Sequence, residues 1–218
     1  MTPGCPQDPS KWRFGKRMRT VALAFMLLLQ AQPLPPPYPR DGTTKLFEND
    51  RVIVWDVSWL QQAYPVHRHV YDYSGVYYTN GDRIIVSERG ARSPTSSVAW
   101  DTFFFRRGVT HSEEGASDEP LRGVFLEFKE PDALGATDTN ASAPAFPGTL
   151  GKKVRESERV VIWEFVPAPG PSPHHHTRDA VVVAFTKLKP RVTFVPRGTA
   201  HPDEQTTGAD RVYVFEVK

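Results

Sequence analysis

PVHRHVYDYSGVYY, residues 65–78, sets His67 and His69 one residue apart inside a run of β-branched and aromatic side chains. Such a run favours a strand. In a strand, residues i and i+2 project to one face, so the two imidazoles can share one ion if a third donor reaches them. Working outward, the stretch has a counterpart. SPHHHTRDAVVVAF, residues 172–185, carries His174 and His176 at the same spacing, with His175 between them pointing away.

Three further segments repeat in the same order. ENDRVIVWDV (48–57) matches ESERVVIWEF (156–165), FFRRGVTHSEE (104–114) matches FVPRGTAHPDE (194–204), and VFLEFK (124–129) matches YVFEVK (213–218). A duplicated unit is the simplest account of four matches in order. Each unit brings a third histidine, His111 or His201, after a glycine turn, and none of the seven histidines lies outside the repeats. Neutral imidazole suits zinc, copper, iron and nickel. The expected metal ligands are therefore His67, His69 and His111 in one half, and His174, His176 and His201 in the other.

Short runs rich in Val, Ile, Phe, Tyr and Trp, separated by turn residues such as NGD at 80–82, fill the rest of the chain, and no long segment keeps a helical period. That pattern predicts an all-β sandwich or barrel. The second copy lacks most of the hairpin region that 80–97 occupies in the first.

With both motifs quoted twice, the sequence resembles the cupin superfamily: a His-x-His motif with a following glycine, then a Pro/Gly-rich turn ending in His. The resemblance covers about residues 46–218 and implies a bicupin, with two tandem double-stranded β-helix (jelly-roll) barrels at 46–130 and 152–218. It also implies a divalent metal (Fe, Zn, Mn, Ni or Cu) in each barrel mouth and a small-molecule ligand or substrate. Residues 131–151, small, polar and proline-bearing, read as the linker.

The sequence departs from the family at one place. The family's glutamate after the His pair is replaced by Tyr73 in the first half and Ala180 in the second. Asp72 and Asp179 lie one residue earlier, where strand parity turns them away from the histidines. They are retained as candidates for supporting the site, together with Arg178, which could meet an anionic ligand. Tyr71, Tyr73 and Tyr77 share the histidine face and predict an aromatic pocket. Trp55 and Trp163 read as core anchors, and the acidic pairs at 113–114 and 203–204 as solvent-facing. The resemblance permits a three-histidine dioxygenase or isomerase. It equally permits a non-catalytic ligand- or metal-binding cupin, or barrels that are purely structural. No phosphate loop and no Gly-x-Ser-x-Gly nucleophile turn is present.

The amino terminus has a different character. Lys16, Arg17 and Arg19 precede the nine apolar residues VALAFMLLL (21–29), too few to span a bilayer but fitting a signal-peptide core. Residues 1–32 are thus expected to be removed on export to the periplasm or beyond, with Met18 an alternative start. PLPPPYP (33–39) would follow as an extended tether, 33–45 in all. The only cysteine, Cys5, lies in the removed part, so the mature chain has no thiol for catalysis or metal binding. Of the 27 basic side chains five fall in residues 1–32, against one of the 25 acidic ones. The remainder is slightly acidic and without a basic stripe, which argues against nucleic acid as a partner. No stable membrane span remains after cleavage, and homo-oligomerisation is left open.

Overall fold

The structure is a computed structural model and describes residues 33–129, 143–146, 151–165, 173–202 and 208–218. The expected signal, residues 1–32, and most of the expected linker lie outside the described residues. Every described element is a strand. Among the described residues no helix is long and apolar enough to cross a membrane.

The strands of the first half are β1 (Thr43–Glu48), β2 (Val52–Trp59), β3 (His67–Arg68), β4 (Asp72–Tyr77), β5 (Gly81–Ser87), β6 (Arg92–Ser97), β7 (Thr102–Phe105), β8 (Thr110–Gly115) and β9 (Leu121–Phe128). Those of the second are β10 (Gly151–Glu156), β11 (Val160–Phe165), β12 (His174–His175), β13 (Asp179–Thr186), β14 (Lys189–Val195), β15 (Ala200–His201) and β16 (Arg211–Val217). Two five-stranded antiparallel sheets have the same order, β1-β2-β9-β4-β7 and β10-β11-β16-β13-β14. The repeat extends to detail: the β1–β2 register slips between Lys45 and Phe47, and the β10–β11 register slips at the matching place between Lys153 and Arg155.

Alternation along these strands gives each sheet two apolar faces. Val52, Val54, Leu126 and Phe128 on one sheet meet Ile162, Val181, Val183 and Phe215 on the other in a shared core between the repeats. The opposite faces line two separate interiors, one around Trp55, Trp59, Tyr73 and Phe125, the other around Phe146, Phe165, Val182 and Val214. The edges interlock reciprocally. Phe47 of β1 stacks on Phe194 of β14 at 5.6 Å, while Arg155 of β10 donates to the Thr102 carbonyl of β7 at 2.6 Å. The duplicated halves therefore meet about a local two-fold, as two subunits of a dimer would.

Each interior is closed by a second sheet, of order β3-β8-β5-β6 in the first half and β12-β15 in the second. The NGD turn does not close a hairpin. It carries the chain from β4 in one sheet to β5 in the other, and β5 pairs with β6 and β8. In the second half β13 turns directly into β14 through Lys187 and Leu188, both at positive φ. The counterpart of β5–β6 is thus missing, as the shortened sequence predicts.

Pro35–Arg40 is not a free tether. The Arg68 N–H donates to the Pro35 carbonyl at 3.0 Å, and Tyr38 is buried against Trp55 and Phe125. The linker reading needs the same correction. Phe146 plugs the second interior against Trp163 and His176, and the His175 N–H donates to the Pro144 carbonyl at 3.0 Å. Each repeat therefore begins with a proline-flanked aromatic plug, Tyr38 or Phe146, ahead of its first strand. An aromatic side chain there buries a large apolar surface that the open barrel end would otherwise expose.

Candidate metal centres and the first-barrel cavity

Short strand pairs assemble the triads. β3 pairs with β8 so that His67 lies directly opposite His111, and β12 pairs with β15 so that His174 lies opposite His201. Residues facing each other across an antiparallel pair are near neighbours. The second histidine of each motif is placed by the glycine turn. Gly108 and Gly198 take positive φ (91° and 72°), which glycine adopts without a Cβ clash. Their N–H groups donate to the carbonyls of His69 and His176 at 2.7 and 2.8 Å.

The result is two congruent clusters. Ring centroids stand 4.7–5.2 Å apart in His67–His69–His111 and 4.3–5.3 Å in His174–His176–His201. In each, one nitrogen per ring lies within 4.8 Å of the others. His69 Nε2 and His111 Nε2 are 3.4 Å apart. That is beyond an ordinary N–H hydrogen bond, and it matches the separation of about 3.4 Å for two nitrogens each ~2.1 Å from one ion at a tetrahedral angle. His175 stays outside the cluster, its Nδ1 2.7 Å from the Ala143 carbonyl oxygen.

Protonation favours ligation. Burial, then the neighbouring imidazoles His111 and His67, push His69 down to about 3. Burial is also the leading cause that lowers His67, His111 and His176. The rings are therefore neutral at pH 7, as metal ligation requires. His67 Nδ1 donates to the Pro65 carbonyl at 3.0 Å, which leaves Nε2 as the bare nitrogen, buried and without a hydrogen-bond partner. His176 repeats this: Nδ1 meets Glu216 Oε1 at 3.2 Å and Nε2 is the buried orphan. Unpaired buried nitrogens are costly. One such nitrogen in each triad, lying within 4.8 Å of an imidazole nitrogen from each of the other two rings, fits a metal ion, so each triad could hold one.

The surroundings differ. In the first half Tyr73 stacks on His69 (4.0 Å, 11°) and, with Tyr38, Tyr77, Phe105 and Phe125, walls a cavity of about 240 Å³ that also reaches His111, Arg83 and Glu113. The expected aromatic pocket is present in Tyr73 and Tyr77, while Tyr71 packs only at its margin. In the second half Ala180 stands where Tyr73 does, and Glu216, itself held by Trp163 Nε1 at 2.9 Å, braces His176 instead. Such a carboxylate fixes an imidazole's tautomer and orientation.

Asp72, Asp179 and Arg178 do not join the sites. Strand parity sends both aspartates to the face between the repeats. There Asp72 pairs with Arg159 (3.7 Å) and Asp179 with Arg51 (3.4 Å), a reciprocal pair of bridges. Each also accepts the N–H of the residue before a glycine turn, Arg107 at 2.8 Å and Arg197 at 3.0 Å. Arg178 is exposed and lines a separate cleft with Arg51 and Arg197.

Glu113 corrects the expectation of a solvent-facing acidic pair. It lies two residues after His111 on β8, shares that inward face, and is buried. Trp59 Nε1 donates to it at 2.8 Å and Arg83 Nη1 at 3.2 Å. Burial alone would raise its carboxyl, but Arg83, Arg40, His111 and Trp59 together hold it below the ordinary value. Glu114, its neighbour, pairs outward with Arg92, and residues 203–204 lie outside the described residues.

Two jelly-roll halves, each with a histidine triad at one end of its interior, are the cupin fold present twice. No protein-family model matches the sequence, and no curated protein does. Among solved structures, the chain is similar to a cupin domain from Bordetella pertussis (25% identity, 43% of this chain and 99% of that one, TM-score 0.38). It is also similar to a cupin 2 conserved barrel domain protein from Leptotrichia buccalis (12%, 88% of each chain, TM-score 0.39) and to YhaK from Escherichia coli (12%, 80% and 92%, TM-score 0.40).

Proposed function

We propose that the protein is a metal-dependent cupin whose first barrel binds a small molecule and acts on it, in the dioxygenase- or isomerase-like manner that its resemblance permits. One observation carries this reading: the buried, unpartnered Nε2 of His67 converges with His69 and His111 beside an aromatic cavity of about 240 Å³. A divalent ion held there supplies Lewis acidity to a ligand oxygen or, if redox-active, electron transfer. The chain's own groups do the rest. Tyr73 fixes the His69 ring plane, the phenols and phenyls exclude water, and Glu113 and Arg83 present opposite charges at the cavity wall.

For the second triad a binding role without catalysis is favoured, because the strands that supply Arg83, Ile85 and Thr95 to the first cavity have no counterpart there. Export to the periplasm or beyond is proposed from the basic and apolar character of residues 16–29 alone. The central test is elemental analysis of purified protein by plasma mass spectrometry, for wild type, His67→Ala and His174→Ala. Each variant should lose the ion of its own triad and keep the other. Unchanged metal content in the double variant would overturn the reading.

A further inference from the structure

The first-barrel cavity, together with Arg40 behind its wall, has more buried positive charge than the neighbouring carboxylate neutralises. Arg40 and Arg83 share one carboxylate, Glu113. Arg83 Nη1 lies 3.2 Å from Oε1 and Arg40 Nη2 3.7 Å from Oε2, with side-chain exposures of 9%, 7% and 7% for Arg83, Arg40 and Glu113. Two guanidiniums against one carboxylate leave a net single positive charge. Loss of the Glu113 charge would only increase it. The other buried carboxyl of this barrel, Glu127, is bonded to Trp55 Nε1 at 2.8 Å, and its chief charged neighbours are Glu48, Lys129 and Lys45 rather than either arginine.

A buried charge without a counter-charge is expensive, and the arginines reduce that expense only in part. Arg40 lies over the Tyr64 ring at 3.6 Å and Arg83 over Trp59 at 4.7 Å, which are cation–π contacts. Hydrogen bonding remains incomplete. Arg83 Nη2 donates to the Tyr77 hydroxyl at 2.7 Å, but Arg83 Nε is buried with no partner, and Arg83 is part of the cavity wall.

The remaining wall is made of ring faces: Tyr38, Tyr73, Tyr77 and Phe125. Phe105 and Val109, both exposed, give the mouth an apolar rim. A cavity of about 150 Å³ lined by apolar side chains holds benzene. The 240 Å³ here leaves room for a ring and a carboxylate.

We propose that this cavity is a receptor for a small planar monoanion, an aromatic or conjugated carboxylate, with its carboxylate at Arg83 and its ring among Tyr73, Phe105 and Phe125. The ligand supplies the missing counter-charge. This rests on the reading of the cavity as a ligand pocket but not on the metal.

Benzoate and its neutral isostere benzamide are the probes, titrated by calorimetry into purified full-length protein of measured metal content. Wild type should bind benzoate at least tenfold more tightly than benzamide. Arg83→Gln should erase that preference without changing metal content, and Arg83→Lys should restore part of it. His67→Ala, stripped of the first ion, should keep the preference. Equal binding of the two probes, or no binding of benzoate, overturns the proposal, and this arm needs no variant to fold. A preference that survives Arg83→Gln but vanishes in His67→Ala also overturns it, since the ion would then be recognising the anion.

Discussion

Asp72 makes no contact with the first triad but bonds the turn that follows β7 as well as the interface between the repeats, and replacing it should disturb both in separable ways. Its carboxylate accepts the Arg107 N–H at 2.8 Å and faces Arg159 at 3.7 Å, with side-chain exposures of 14% and 15%. Arg107 precedes Gly108, the turn that holds His69 and leads into His111. At an effective dielectric of ~20, charges 3.7 Å apart attract by about 4.5 kcal/mol. Desolvation offsets most of this, leaving a net contribution of about 1 kcal/mol. An N–H bonded to a charged acceptor adds about 1.5–3 kcal/mol. Asp72→Asn keeps an acceptor for Arg107 and loses the ion pair, so it should cost about 1 kcal/mol and leave first-site metal affinity nearly unchanged. Asp72→Ala loses both, so it should cost about 2.5–4 kcal/mol and weaken first-site affinity about tenfold as the turn loosens, within the range seen when outer supports of a ligand are removed. Urea unfolding with linear extrapolation measures the first quantity, and zinc competition with a chromophoric chelator measures the second. If Ala and Asn behave alike in both assays, the aspartate does not position the turn and the coupling does not exist.

Glu216→Gln should weaken metal binding at the second triad about 10–100-fold by removing the carboxylate behind His176, with the first triad unchanged in the same chelator titration. Burial raises the Glu127 carboxyl to about 7, against the lowering effect of Trp55. Trp55 fluorescence should therefore titrate near pH 7 and stop doing so in Glu127→Gln. Because the folded state takes up this proton and the unfolded state does not until about pH 4.5, Glu127 should favour folding increasingly as pH falls from 7 towards 4.5. Protein recovered from its native host should lack residues up to about Ala31 by intact mass, and a full-length cytosolic species would remove the export proposal.

Repetition made the fold legible. One His-x-His pair is ambiguous, but His67, His69 and His111 recurring as His174, His176 and His201 require the same three-dimensional neighbourhood twice. Strand parity likewise separated Asp72 and Asp179 from the triads, although it could not say that they would meet Arg159 and Arg51, because that contact spans the two repeats. The solvent-facing reading of Glu113 fails because its position two after His111 on β8 gives it the inward face. The plugs carried a signal that composition hid. Tyr38 and Phe146 are each followed by proline and have the same spacing as Trp55 and Trp163, yet their proline-rich setting reads as tether and linker. Arg83 offered no comparable signal, since its strand has no copy in the second half to set it apart.

The difference between the two halves falls where it leaves the shared core intact. The core shared between the repeats draws on β2, β4 and β9 in the first half and on β11, β13 and β16 in the second, with Tyr78 just beyond β4. None of its buried residues comes from β3, β5, β6 or β8, the sheet that carries His67, His111, Arg83 and Glu113. Burial of apolar area is the dominant favourable contribution to folding. The absence of β5 and β6 counterparts from the outer sheet of the second half therefore leaves the shared core intact. Its cost falls on the cavity, because β5 and β6 bring Arg83, Ile85 and Thr95 to the wall beside the first triad. Among the described residues the second half has β12 and β15, which set His174 opposite His201, and no counterpart of β5 and β6. One sheet of each repeat thus supplies the shared core, and the other carries two of the three histidines of its triad.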